Sequence, residues 1–194
     1  TTKYDKILSS SAEGQHDIAF NEYQSDNNGN RIGKSLLDIW KTIIDNNLQT
    51  PFGDYLLHKH NIDRWAQGKP VFGEDITDEM SKIMVKEYEK DYPIFKSIQK
   101  EIQQYNKNQL RNMKEAGLTD SQMENLLNEM YPSYVRIKRN YKDTKPMYVS
   151  NSDRKVNTQI KKATGGTEDI LPILESMAEQ TMKVKKSIRE NLFG

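Results

Sequence analysis

From Ser35 to Pro132, and again near the end of the chain, apolar residues return every three or four positions, interrupted at intervals by glycine, proline or a capping residue. That spacing is the period of an α-helix, so the chain must bury one stripe of each of several helices rather than the alternating faces of strands. Leu36, Leu37, Trp40, Ile43, Ile44 and Leu48 form the first stripe. Thr50-Pro51 then caps and opens a second helix, since proline lacks only an N–H that a first turn leaves unpaired anyway. Its apolar positions are Phe52, Tyr55, Leu56, Ile62 and Trp65, and Gly68 stops it before the loop Lys69-Pro70-Val71-Phe72-Gly73. Thr77-Asp78-Glu79 opens a third helix, with acids where the helix dipole favours them. Met80, Ile83, Met84 and Tyr88 are its apolar positions, and Pro93 ends or kinks it.

A long helix follows through Phe95, Ile98, Ile102, Tyr105 and Met113 to Gly117. Thr119-Asp120-Ser121-Gln122 reads as a capping box with Thr119 as the cap, leading into Met123, Leu126, Leu127 and Met130. A last helix starts near Thr167–Asp169 and carries Ile173, Leu174, Met177, Val184 and Ile188. The expectation is an all-α, elongated domain of about six helices.

Two regions break the pattern. Residues 1–33 form a loop-rich N-terminal arm, in which Ser9-Ser10-Ser11, Gly14 and Asn27-Asn28-Gly29-Asn30 are turn chemistry. Only Ile18, Phe20 and Tyr23 in that arm offer anything to bury, so it wraps or hangs. Within the helical domain, 34–194, residues 133–166 are an excursion. Tyr134-Val135-Arg136-Ile137-Lys138 alternates like a short extended piece, and Lys142 to Gly166 reads as a long loop hinged at Gly165-Gly166.

Composition sets limits on function. Hydrophobic residues make up 35% of the 194 residues and charged residues 29%, a polar balance that favours a body leaning on partners. No run approaches the ~20 apolar residues of a membrane span, and no charged-then-apolar signal segment opens the chain. With no cysteine there is no disulfide framework, thiolate metal site or cysteine nucleophile, and three histidines make a histidine-rich metal site a poor expectation. The net charge of +1 does not announce a nucleic-acid binder. The chain starts at Thr1 and stops just past a helical run, as a piece of a longer protein would.

The motifs have a plain reading and a chemical one. Gly29-Asn30-Arg31-Ile32-Gly33-Lys34-Ser35 evokes a phosphate loop, but three residues rather than four separate its glycines and no strand precedes it. A turn leading into a helix cap is the simpler reading. His58 and His60 are two apart on a helix, about 200° around its axis, and cannot chelate one metal from one face; they read as structural or solvent-facing. Lys59 with Asp63, and His60 with Arg64, have the spacing of helix-surface or inter-helix pairs. Glu74, Asp75, Asp78 and Glu79 read as dipole complement rather than as a catalytic or cation-binding set. Residues 133–162 carry nine basic side chains, Arg136, Lys138, Arg139, Lys142, Lys145, Arg154, Lys155, Lys161 and Lys162, against two acids, with Tyr134, Tyr141 and Tyr148 interleaved. Such a segment can follow a phosphate backbone and stack on bases, or it can be a solvated loop.

Two stretches go further than generic helix chemistry. One is Asp54-Tyr55-Leu56-Leu57-His58-Lys59-His60-Asn61-Ile62-Asp63-Arg64 with Gly68-Lys69-Pro70-Val71-Phe72-Gly73. The other runs from Tyr92-Pro93 through Tyr105-Asn106 and Glu115-Ala116-Gly117-Leu118 to Tyr131-Pro132-Ser133-Tyr134-Val135. Together they resemble the helical "large polyvalent protein-associated" regions of very long proteins of phages and integrated mobile elements. Thr164-Gly165-Gly166 to Pro172-Ile173-Leu174-Glu175-Ser176 and Asn191 resemble the helix that follows, so the likeness covers roughly residues 34–192. Trp65 and the short Ala66-Gln67 turn depart from that pattern. The resemblance implies a module between the enzymatic parts of giant proteins packaged in a virion and delivered with DNA, in the virion interior or the host cytoplasm. It supplies no catalytic residues.

Tyr55, His58, His60, Asn61, Asp63 and Arg64 are many polar groups for one helix, and buried they would form a network that specifies one helix arrangement. The functional expectation is therefore a non-catalytic structural or interaction module with no cofactor and no metal. Its partners would be neighbouring segments of a larger phage protein or further copies of the chain, and Met80, Met84, Met123, Met130, Met177 and Met182 would supply adaptable packing surfaces. The alternative is a DNA- or RNA-binding accessory module using residues 136–162.

Overall fold

Ser35 is where the chain commits to helix. Its backbone is extended and its hydroxyl accepts from the Asp38 N–H at 3.0 Å, satisfying one of the donors a helix start leaves open. The structure, a computed structural model, describes residues 19–73, 75–130, 133, 135 and 173–193. It is all-α: after a helical turn at 19–21 come α1 (Leu36–Asp45), α2 (Gln49–Trp65), α3 (Asp78–Asp91), α4 (Ile94–Glu115), α5 (Ser121–Met130) and α6 (Ile173–Phe193). Among the described residues no strand forms, and extended pairing is limited to one bridge between Ser25 and Arg31.

Local chemistry sets most of the boundaries. Past the end of α1, Asn47 takes the left-handed conformation (φ 57°) and lets Leu48 N–H reach back to the Ile43 carbonyl at 2.9 Å. α2 starts at Gln49, so Thr50 lies inside its first turn instead of capping it, and Pro51 sits where its missing N–H costs nothing. α3 is capped by Thr77 Oγ1, and Pro93 ends it rather than kinking it. Gly117, at φ 74°, stops α4 while Leu118 N–H bonds the Met113 carbonyl. The next cap is Asp120, whose carboxylate accepts from Met123 N–H at 2.7 Å. The expected cap, Thr119, is one residue too early, because the side chain of Asp120 takes the capping role that the box assigns to threonine.

The helices pack around α4, which touches each of the other five, while α2 touches α1, α3 and α4 and has its most extensive contact with α3. Leu36, Ile39, Trp40, Ile43 and Ile44 from α1, Phe52, Tyr55 and Leu56 from α2, and Phe95, Ile98, Ile102 and Tyr105 from α4 form the core, joined by Ile173, Leu174, Met177 and Ala178 of α6. Phe52 sits at the centre of an aromatic cluster, with ring centroids 5.0 Å from Trp40 and 4.9 Å from Phe95. α6 runs alongside α4 in the same direction. Tyr105 Oη meets Thr181 Oγ1 at 3.1 Å, and further along Asn191 Nδ2 donates to the Ala116 carbonyl. There Met113, Ala116, Leu118 and Val184 close a second, smaller core.

On α3 the buried stripe is rotated from the expected one. Ser81 and Val85 face inward, while Met80 and Ile83 are 48% and 58% exposed. The cause is Ser81: its hydroxyl is drawn into polar contacts with α2, and those fix which way α3 is turned.

The described part of the arm, residues 19–33, is docked. Phe20 is buried, whereas Tyr23 is 49% exposed with the Arg31 guanidinium 5.0 Å from its ring centre; Ile18 lies outside the described residues. A tight loop closes as Ile32 and Gly33 N–H groups donate to the Gln24 carbonyl at 2.8 and 3.2 Å, and Asp26 accepts from the Asn28 and Asn30 N–H groups. Side-chain amides fasten this loop to α4. Gln24 Nε2 donates to the Tyr105 carbonyl (2.7 Å), Asn108 Nδ2 to Gln24 Oε1 (2.9 Å), Asn27 Nδ2 to the Asn112 carbonyl (3.0 Å) and Asn112 Nδ2 to the Ser25 carbonyl (2.7 Å).

Candidate functional site

The densest collection of polar groups lies on α2, where His58, His60, Asn61 and Arg64 are buried among apolar residues. α2 tolerates His58, Asn61 and Arg64 because neighbouring segments meet them with partners. Asn61 is fully enclosed. Its Nδ2 donates to the Ile76 carbonyl (3.1 Å) and to Ser81 Oγ (2.9 Å), and its Oδ1 accepts from the Val71 N–H (2.7 Å). One side chain thereby binds the loop after α2, the approach to α3 and α3 itself.

His58 joins the same centre, with Nδ1 3.1 Å from Ser81 Oγ and its ring 5.0 Å from that of Phe72. Ser81 Oγ accepts from Asn61, and its second polar contact is with His58 Nδ1, where the imidazole tautomer decides which group donates. Burial lowers the His58 pKa, against a smaller opposing pull from Asp54. A serine hydroxyl beside a histidine has the outline of a nucleophile and its base. Here Ser81 has no exposed surface and its hydroxyl is committed on both sides, so no substrate reaches it.

The other expected members go elsewhere. Tyr55 Oη donates to Glu89 Oε1 at 3.0 Å; burial, reinforced by that carboxylate, pushes its phenol pKa well above the usual value. Glu89 also has Lys59 and Lys96 each at 3.9 Å, so it ties α2, α3 and the start of α4 together. Asp63 Oδ2 accepts from the Ser133 N–H at 2.8 Å, and burial raises its pKa against the opposing pulls of Ser133 and Lys59. Arg64 Nε donates to the Lys69 carbonyl at 2.7 Å, while the Arg64 carbonyl accepts from the Lys69 N–H, closing the turn around Gly68. His60 is 2% exposed, and burial, with Arg64 one turn away, lowers its pKa to about 3. Five of the six residues thus make one Asn61–Ser81–His58 centre and separate ties from Tyr55, Asp63 and Arg64, while His60 is enclosed in the interior. Both histidines are buried, and the solvent-facing alternative for them is removed.

Sequence reasoning missed Ser81 and Glu89. The signal for Ser81 was present, since Ser81, Val85 and Tyr88 share helical spacing, but a serine does not register in an apolar pattern.

The remaining motifs take their plain forms. Gly29 to Ser35 is a turn leading to the Ser35 cap, with Gly33 packed closely against Gln24. Asp78 and Glu79 pair with Lys82 at 2.9 and 2.8 Å, which raises the lysine pKa to about 12; Glu74 lies outside the described residues. Arg136, Lys138, Arg139, Lys142, Lys145, Arg154, Lys155, Lys161 and Lys162 lie outside the described residues as well. Among the described residues no group of three or more His, Asp or Glu side chains is placed to hold a metal ion, and no helix is long and apolar enough to cross a membrane. No protein-family model, curated protein or solved structure matches the chain.

Proposed function

We propose that this chain is a non-catalytic structural and interaction module of a larger phage or mobile-element protein, working in the virion interior or the host cytoplasm. The setting is carried by the sequence resemblance over residues 54–73 and 92–135. The mode of action is supported by one observation on the fold. Met80 and Ile83 stand on the outer side of α3 at 48% and 58% exposure, with the half-buried Met84 beside them. Their i, i+3, i+4 spacing is that of anchors for a second helix, and methionine adapts to an irregular partner. The inner side of α3 is meanwhile held rigidly through Ser81, so the outer residues are presented in a fixed orientation.

The occupant we assign to this face is the same face of a second copy. Sedimentation of the full chain over a range of concentrations tests the reading. Self-association is expected, and Met80→Lys with Ile83→Lys is expected to abolish it while leaving the helical circular dichroism unchanged. A chain that stays monomeric at every concentration, or whose self-association ignores both substitutions, overturns it.

A further inference from the structure

α4 carries a second exposed surface of different chemistry. Its inner side is fixed by the buried residues Phe95, Ile98, Ile102 and Tyr105, which leaves Lys96, Lys100, Lys107, Arg111 and Lys114 exposed on the other side. Steps of four, seven, four and three residues keep all five within a narrow sector of a 3.6-residue helix. With a rise of about 1.5 Å per residue, the row from Lys100 to Lys114 is about 21 Å long. Gln104, exposed on the same side, adds a neutral hydrogen-bonding group, and no large apolar residue interrupts the row.

The acids nearby are mostly spent. Lys96 lies 3.9 Å from Glu89 and Lys114 pairs with Glu124 at 3.0 Å, while Glu101 is taken by Lys34 at 2.9 Å. Arg111 makes a 3.4 Å contact to Asn108 Oδ1, and Glu115 stands exposed at the end of the helix. Among the described residues, Lys100, Lys107 and Arg111 have no carboxylate within ion-pair distance. Complementing the helix dipole explains cations in a last turn, but not Lys100 and Lys107, which lie well inside α4.

We infer that this row on α4 is a docking stripe for the phosphate backbone of double-stranded nucleic acid. A straight, rigid line of positive charge complements a polyanion whose charge is equally regular. Along the duplex axis each strand places a phosphate about every 3.4 Å, so the row covers an axial length of about six phosphates per strand and reaches those on the side that faces it. A lipid surface fits less well, because a membrane-bound helix needs a row of apolar side chains beside its cations, and here only the partly buried Leu110 flanks the row. The binding is independent of sequence, since lysines at this spacing address phosphates rather than base edges.

The test uses the full chain and a short labelled DNA duplex, with binding followed by fluorescence anisotropy at several salt concentrations. Affinity is expected to fall steeply with salt. Lys100→Gln, Lys107→Gln and Arg111→Gln together should weaken binding at low salt by at least tenfold and reduce the log–log salt slope by about 2–3. Lys183→Gln with Lys186→Gln on α6, whose lysines face Glu179 and Glu190, should leave both unchanged. Circular dichroism checks that the variants fold. Absence of duplex binding at low salt overturns the inference, as does binding indifferent to the three α4 substitutions, which would place the contact in residues 136–162 or elsewhere. Tighter binding to phosphatidylserine vesicles or to a polyglutamate peptide than to the duplex overturns it too. The stripe and the α3 face are separate surfaces with separate readouts, so either reading can fail alone.

Discussion

Asn61 shows how a single residue converts a polar liability into specificity. A buried amide left without partners costs several times what a satisfied one contributes, so a side chain with three bonds and no exposure is tolerated only in one arrangement of its surroundings. Asn61→Ala would remove the side-chain acceptor of the Val71 N–H and the side-chain donor to the Ile76 carbonyl at once and leave a small cavity. A loss of about 3 kcal/mol in unfolding free energy is expected, read from urea denaturation. Ser81→Ala removes a hydroxyl whose loss still leaves Asn61 Nδ2 bonded to Ile76, so about 1–2 kcal/mol is expected there. Because the two share a hydrogen bond, the double variant should cost less than the sum of the singles. Additive losses, or an Asn61→Ala protein as stable as the parent, would show that the centre does not hold α2 to α3.

At the scale of elements, the amide ties between residues 24–33 and α4 act as a latch. Gln24 lies at its middle, with both ends of its side-chain amide and its carbonyl engaged. Gly33 is pressed against it: a Cβ there would sit 2.9 Å from Gln24 Oε1 and 3.2 Å from Asn108 Nδ2. Both atoms are held by hydrogen bonds and cannot retreat without breaking them. Gly33→Ala should therefore cost about 1–2 kcal/mol. Faster hydrogen exchange should appear over residues 24–33, while α1 and α2 keep their protection. Unchanged exchange in that loop would mean the latch yields without loss. The latch also marks where the sequence stops being informative. Ser35 and Thr77 are legible as caps because the donor each serves lies three residues away. Periodicity likewise places α1, α4 and the body of α6. Asp120 and Thr119 are competing caps side by side, and only geometry chooses between them. Gln24 with Asn108, and Asn61 with Val71 and Ser81, pair across the chain, and a pattern of apolar spacing carries no record of such partners. The rotation of α3 follows from the same blindness, since the apolar count favoured Met80 and Ile83 over a serine that the fold needed inside.

For the whole molecule, the buried histidines link folding to acidity. His60 has its pKa lowered to about 3 by burial and, secondarily, by Arg64, whereas in the unfolded chain it titrates near 6.5. Below that value the unfolded state takes up a proton that the folded state refuses. The unfolded chain then binds more protons, so stability must fall with falling pH. The stabilisation is complete above about pH 6.5 and is lost progressively towards pH 3, at up to about 1.4 kcal/mol per pH unit for this one group. His58, lowered in the same direction, adds to the slope. Asp63 works against it, because a carboxyl whose pKa is raised on folding binds its proton more readily in the folded state and gains stability as the acid is protonated. Comparing the parent with His60→Leu at each pH cancels the Asp63 and His58 contributions. Between pH 6.5 and 5 the parent should lose stability faster than the variant, measured by urea denaturation across that range. Equal slopes would mean that His60 is protonated in the folded chain. α2 would then have to yield before the rest of the molecule, because an imidazolium beside Arg64 in that interior could persist only if water reached it.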